Sequence, residues 1–88
     1  MKEKFAKLFE SEKHGQVLVL LDTNADKDAP EVRFFVKPDG LGVCSAAVIF
    51  PDTDKGVDSA ARLFEKVGPT EAESMAKQII DSAEELTS

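Results

Sequence analysis

The chain has 88 residues, of which 42% are hydrophobic and 32% are charged, and its formal net charge is −6. This is the composition of one folded domain: it is too apolar for a disordered chain, and it has no apolar run of the roughly 18 residues that a membrane span requires. The negative charge disfavours binding to a phosphate backbone. The single cysteine excludes an intramolecular disulfide, so we expect a cytoplasmic protein.

The beginning of the chain has the spacing of a short helix, predicted over residues 2–13. Phe5, Leu8 and Phe9 stand at i, i+3 and i+4 and would share one face. Gly15 follows, where a left-handed residue often closes a helix. A helix this short is marginal alone, so we expect its aromatic face to pack against the rest of the domain.

Three strands are predicted next, over residues 16–22, 31–37 and 43–50. The first is apolar on both faces, whereas the second alternates between Val32, Phe34, Val36 and a second set that includes Phe35. Pro38 and Gly40 give a turn signal between the second and third strands. Short connections favour an antiparallel meander in the order 1-2-3.

Two further helices are predicted over residues 55–67 and 70–86, separated by Gly68 and Pro69. Thr70 with Glu73 matches the capping box that opens many helices. The predicted fold is α+β in the order α-β-β-β-α-α. It forms a single domain over residues 1–88, with a three-stranded antiparallel meander and helices mainly on one face of the sheet.

This predicted element order is similar to that of the double-stranded-RNA-binding domain. Such domains contact RNA through lysines at the start of the helix that follows the third strand. Here Lys55 stands at that place between Asp54 and Asp58. The charge therefore opposes RNA binding; nucleic acid is an unlikely partner by this criterion, and the order alone assigns no family.

The residues that most often carry catalysis are sparse. His14 and Cys44 are the only histidine and cysteine, and they fall in a predicted loop and a predicted strand. No phosphate-binding glycine motif or serine-hydrolase motif is present. We therefore predict a protein that is not an enzyme and has no cofactor.

Acidic and amide side chains gather at one predicted end of the sheet. The loop after the first strand and the segment after the third would meet there, and oxygen ligands from both suit Ca²⁺ or Mg²⁺. The spacing departs from an EF-hand, because Lys27 and Arg33 occupy the glycine and glutamate positions. The alternative is that these residues simply form turns and helix caps. The predicted ligands are Asp22, Asn24, Asp26, Asp52 and Asp54.

The second face of the predicted sheet is also apolar. If Val32 and Phe34 face the helices, then Phe35 faces away, and a large exposed apolar patch usually marks an interaction surface. The register of the third strand is open, and one register adds Cys44, Ala46, Val48 and Phe50. The alternative is that the helices divide between both faces. The predicted interaction surface is Phe35, Arg33, Lys37, Leu18 and Leu20.

These observations lead to three functional hypotheses. The first is a small acidic protein-interaction module, with a homodimer formed through the sheet as one form of it. The second is a divalent-cation-binding domain that uses the acidic end of the sheet. The third is an acidic surface that imitates the charge of nucleic acid and docks on a basic protein.

Overall fold

The computed structural model describes residues 4–24, 26–38 and 40–87. Its four strands form one antiparallel sheet in the order β1-β2-β3-β4, and two helices follow, so the α+β class is confirmed. None of the helices in the described part of the chain is long and apolar enough to cross a membrane. The elements are β1 (Phe5–Ser11), β2 (Gly15–Asn24), β3 (Ala29–Val36), β4 (Cys44–Ile49), α1 (Asp54–Lys66) and α2 (Pro69–Thr87).

The prediction of a helix over residues 2–13 is wrong, because β1 occupies most of this segment. Residues 2 and 3 of the predicted helix lie outside the described residues. β1 pairs with β2 from Phe5↔Leu21 to Ser11↔Gly15. Gly15 has φ 76, so the glycine expected to cap a helix instead supplies a left-handed residue next to the hairpin turn. Pairing with an apolar neighbour strand overrides the local helical spacing. The sheet therefore has four strands rather than three, and the similarity in element order to the RNA-binding domain is lost.

The later elements lie near the predicted positions, with changes at their ends. Thr53 caps α1, since its hydroxyl oxygen accepts a hydrogen bond from the Gly56 N–H at 3.0 Å. At α2 the capping contact differs from the prediction: the Gly68 N–H donates to the Glu71 carboxylate at 2.8 Å, and α2 begins at Pro69. Asp39, in the predicted turn between β3 and β4, lies outside the described residues.

The two helices pack on one face of the sheet, which we call the covered face. The register aligns Val17 with Val36, Val19 with Phe34 and Leu21 with Val32 on this face. The core joins these strand residues to one side of each helix, and it holds nearly all of the fully buried apolar side chains. The helix residues in it are Ala60, Phe64, Ala72, Ala76, Ile79 and Ile80.

Lys7 links β1 to the end of α1. It lies on the covered face, and its Nζ donates to the carbonyl oxygens of Phe64 at 2.6 Å, Glu65 at 3.3 Å and Val67 at 3.3 Å. The same Nζ lies 4.7 Å from the centre of the Phe64 ring. A cation at a helix C-terminus satisfies carbonyls that have no partner within the helix and opposes the negative end of the helix dipole. Lys7 therefore fixes α1 against the β1 edge of the sheet.

Candidate docking surface

The opposite side of the sheet, which we call the bare face, is apolar although neither described helix packs on it. Leu8, Leu18, Phe35 and Ser45 form one row across the four strands, because each is the register partner of the next. A second row lies beside it and consists of Ala6, Leu20, Arg33 and Ala47. Ile49 follows Ala47 on the same side of β4.

The exposure of these side chains distinguishes the bare face from the core. Leu8 is 58% exposed and Ile49 is 40% exposed, while Leu18, Leu20 and Phe35 are half-buried by their neighbours in the sheet. Exposed leucines scattered over a surface need no explanation, whereas apolar side chains gathered on one sheet face do. The bare face is therefore the candidate docking surface.

Several charged residues at one end of this face are bound to each other. Arg33 Nε lies 2.7 Å from the Glu31 carboxylate, and Arg33 Nη1 donates to the Ser45 hydroxyl at 3.1 Å. Asn24 Nδ2 donates to Glu31 Oε1 at 2.7 Å. Lys4 and Asp22 form a longer ion pair, 3.6 Å, near the same end of β2. These contacts leave the bare face without a single dominant charge.

Glu31 is the most buried charged residue of the described chain, with 5% of its surface exposed. The hydrogen bond from Arg33 holds the pKa of its carboxyl below the usual range, helped by Asn24, although burial acts in the opposite direction. The same contact raises the pKa of Arg33. A carboxylate with lowered basicity is poorly suited to act as a general base near neutral pH, so the pair serves to hold β3 side chains in place.

The predicted interaction residues have different positions in the structure. Phe35, Leu18 and Leu20 lie together on the bare face, and Arg33 lies beside them in its ion pair with Glu31. Lys37 follows the last residue of β3 and is exposed. The register that would have added Cys44, Ala46 and Val48 is wrong, because they align with the covered-face residues of β3; Phe50 follows β4 and packs against the core.

Sequence reasoning missed the contribution of β1 to this surface. Ala6 and Leu8 belong to it, whereas the local spacing predicts a helix for both. Residues 5–9 read F-A-K-L-F and do not alternate between apolar and polar side chains, so the local sequence carries no strand signal that could have corrected the helical spacing.

The predicted cation ligands are partly engaged in other contacts. The Asn24 side-chain oxygen accepts hydrogen bonds from the N–H groups of Asp26 and Lys27, both at 3.0 Å. The Asp22 carboxylate accepts from the Thr23 N–H at 2.7 Å. Among residues 4–24, 26–38 and 40–87, no three His, Cys, Asp or Glu side chains form a group that could hold a metal ion. The cation site at Asp22, Asn24, Asp26, Asp52 and Asp54 stays a prediction. These turn contacts would compete with the binding of a cation there.

Comparison of the chain with protein-family models, with curated proteins and with solved structures finds no match.

Proposed function

We propose that the protein is an interaction module without catalytic activity, and that it docks a partner protein on the bare face of its sheet. One observation carries the proposal: the apolar row formed by Leu8, Leu18 and Phe35 lies on a face that the described helices do not cover. A partner that covers this row would gain a favourable free energy of about 25 cal/mol per Å² of apolar surface buried.

The arrangement of the bare face has the anatomy of an interface. Its apolar rows lie between Glu31 at one end of the strands and Glu10 at the other, and Arg33, which lies within the second row, is paired with Glu31. Phe35 stands between Leu18 and Ser45, as a large anchor within this apolar centre. A central aromatic residue surrounded by smaller contacts is the usual position of the strongest binding contributions.

The charge of the chain defines the chemistry of the partner. The chain carries a net charge of −6, and α2 alone has five carboxylates and one lysine. Asp26 and Asp28 lie in the exposed turn between β2 and β3, at one end of the bare face. An acidic protein attracts basic partners at long range. The proposed partner therefore presents an apolar patch with a lysine or arginine side chain at the end that meets Asp26 and Asp28.

The test compares binding by wild type, Phe35→Asp and Arg62→Gln. Phe35→Asp places a charge in the apolar centre, whereas Arg62→Gln changes the net charge equally at an exposed site on α1. We expect a partner purified from the native cells to bind wild type and Arg62→Gln alike, and to bind Phe35→Asp at least about tenfold more weakly. Equal binding by all three proteins contradicts the proposal.

The salt dependence of the same binding reaction separates the apolar interface from the charge-mimic hypothesis. Contacts made by exposed charges weaken steeply as ionic strength rises, while burial of apolar surface does not. We expect the affinity for wild type to fall only modestly between low and physiological salt. A steep fall, together with insensitivity to Phe35→Asp, favours an acidic surface that imitates nucleic acid instead.

A further inference from the structure

The two edges of the sheet are built differently. β1, at one edge, contains Lys7 and Glu10, and Lys4 precedes it. β4, at the other edge, has the sequence CSAAVI and contains neither a charged residue nor a proline. Natural sheets usually protect an exposed edge with charges, proline or a bulge, because unpaired backbone groups there can accept another strand. β4 therefore has neither the charged residues nor the proline that usually protect an edge strand.

Backbone hydrogen bonding identifies which groups of β4 are free to pair. The Phe50 N–H donates to the Pro30 carbonyl at 2.8 Å, so this position is a hydrogen-bonded pair of the antiparallel ladder. Counting back along the register, Val48, Ala46 and Cys44 point their backbone groups towards β3. The N–H and C=O groups of Ser45, Ala47 and Ile49 therefore point to the open side of the sheet.

The space beside β4 on the helix side is an apolar groove. One hollow of about 400 Å³ lies between β4 and α2, and a second of about 410 Å³ lies between Val48 of β4 and both helices; they share Met75 as a lining residue. Val48 is 42% exposed although it lies on the covered face, and Leu86 of α2 is 87% exposed. A strand added to β4 would place alternate side chains into this groove, as in strand addition to other sheets.

We propose that β4 of one molecule pairs antiparallel with β4 of a second copy, which gives one continuous eight-stranded sheet. The charges around β4 favour a copy in this orientation. Asp52 and Asp54 follow the strand, whereas the uncharged Gly42 and Val43 precede it. Antiparallel pairing brings each acidic end against an uncharged end, while parallel pairing would bring the acidic ends together.

The difference between the two edges also limits the number of copies that can join the sheet. A two-fold interface uses the β4 edge of both copies, and the outer edges of the new sheet are then both β1. Because β1 carries charges, the sheet stops at two copies. The pairing does not depend on the proposed partner. If both occur, the two bare faces lie side by side on one larger surface.

Amide hydrogen exchange followed by NMR tests this pairing in the wild-type chain. The N–H groups of Ala47 and Ile49 should exchange slowly at high protein concentration and faster on dilution, since only the dimer protects them. The N–H groups of Ala46 and Val48 should be protected at every concentration, because they face β3. Unprotected Ala47 and Ile49 amides at the highest concentration that NMR permits would overturn the proposal.

A pair of substitutions at Ala47 gives an independent reading. Ala47→Pro removes an outward N–H and leaves the ladder to β3 intact, whereas Ala47→Ser retains that N–H. In sedimentation equilibrium we expect Ala47→Pro to dimerise on the order of a hundredfold more weakly, and Ala47→Ser to resemble wild type. If the proline variant fails to fold, the exchange measurement on wild type decides.

Phe35→Asp distinguishes this dimer from stacking of two bare faces. It should lose the partner of the proposed function but keep the dimer, because Phe35 is not on the β4 edge. A dimer that Phe35→Asp dissociates and Ala47→Pro does not would overturn edge pairing. A dimer that survives while partner binding is absent leaves edge pairing supported and the proposed function contradicted.

Discussion

On the covered face of β2, Val17 and Val19 are completely buried, whereas on the bare face Leu18 and Leu20 of the same strand are only half-buried. The two sets are equally apolar, so the difference comes from the helices and not from the strand. One side of α1 and one side of α2 suffice to cover one face of the sheet. The apolarity of the other face is not needed for the core, and it is the feature on which the proposed binding of a partner depends.

The sharpest comparison of the two faces uses adjacent phenylalanines. Phe34 is 3% exposed on the covered face and Phe35 is half-buried on the bare face. We expect Phe34→Ala to lower the free energy of unfolding by about 3–5 kcal/mol, since it leaves a cavity in the core. Phe35→Ala should cost only about 1 kcal/mol. Chemical denaturation measures both, and equal losses would mean that the bare face is as tightly packed as the core.

The covered face depends on how closely α1 approaches the segment before it. A Cβ atom added at Gly56 would meet the Pro51 carbonyl oxygen at 1.8 Å, which is far inside contact distance. We expect Gly56→Ala to cost about 3 kcal/mol, because α1 must move away from its position on the sheet. Gly42→Ala is the control, since a Cβ there meets nothing within 4 Å. Thermal unfolding of the two variants should differ clearly, and similar melting temperatures would contradict this packing.

Removing the contact between Lys7 and the end of α1 should lower the free energy of unfolding by a smaller amount. Lys7→Met retains most of the apolar stem but removes the bonds to the carbonyls at the end of α1, which should cost about 1–2 kcal/mol. Lys4→Met removes only an exposed pair with Asp22 at 3.6 Å and should cost less than about 0.5 kcal/mol. Denaturation in urea compares the two. A Lys4→Met loss that equals the Lys7→Met loss would refute a specific role for the helix-capping contact.

The smallest expected effect concerns the ion pair on the bare face and depends on pH. The pKa of Glu31 is lowered in the folded state, so its stabilisation is present above the ordinary value of 4.5 and is lost as pH falls through the folded value. At neutral pH we expect Glu31→Gln to be less stable than wild type by about 1 kcal/mol. This difference should shrink as the solution is acidified below the ordinary value. A difference that is constant with pH would show that the carboxylate does not provide it.

The sequence predicts much of this arrangement but not the first element. The alternation in β3 places Phe35 opposite Phe34, because side chains of a strand alternate between faces. Phe5, Leu8 and Phe9 have the spacing of a helix, and pairing with β2, which lies outside that segment, overrides it. The sequence likewise leaves the register of β4 open, since small and apolar residues occupy both of its faces. For these two reasons, the surface predicted from the sequence does not include Leu8, Ala47 and Ile49.

Photo-crosslinking in cells shows whether the bare face binds a partner. A photoreactive phenylalanine analogue at Leu8, which is 58% exposed on that face, is activated by light in the native cells. We expect a covalent adduct with one partner protein, which Phe35→Asp in the same chain abolishes, and no such adduct from the analogue at Arg62. The absence of an adduct from Leu8, or the same adduct from both positions, would contradict it.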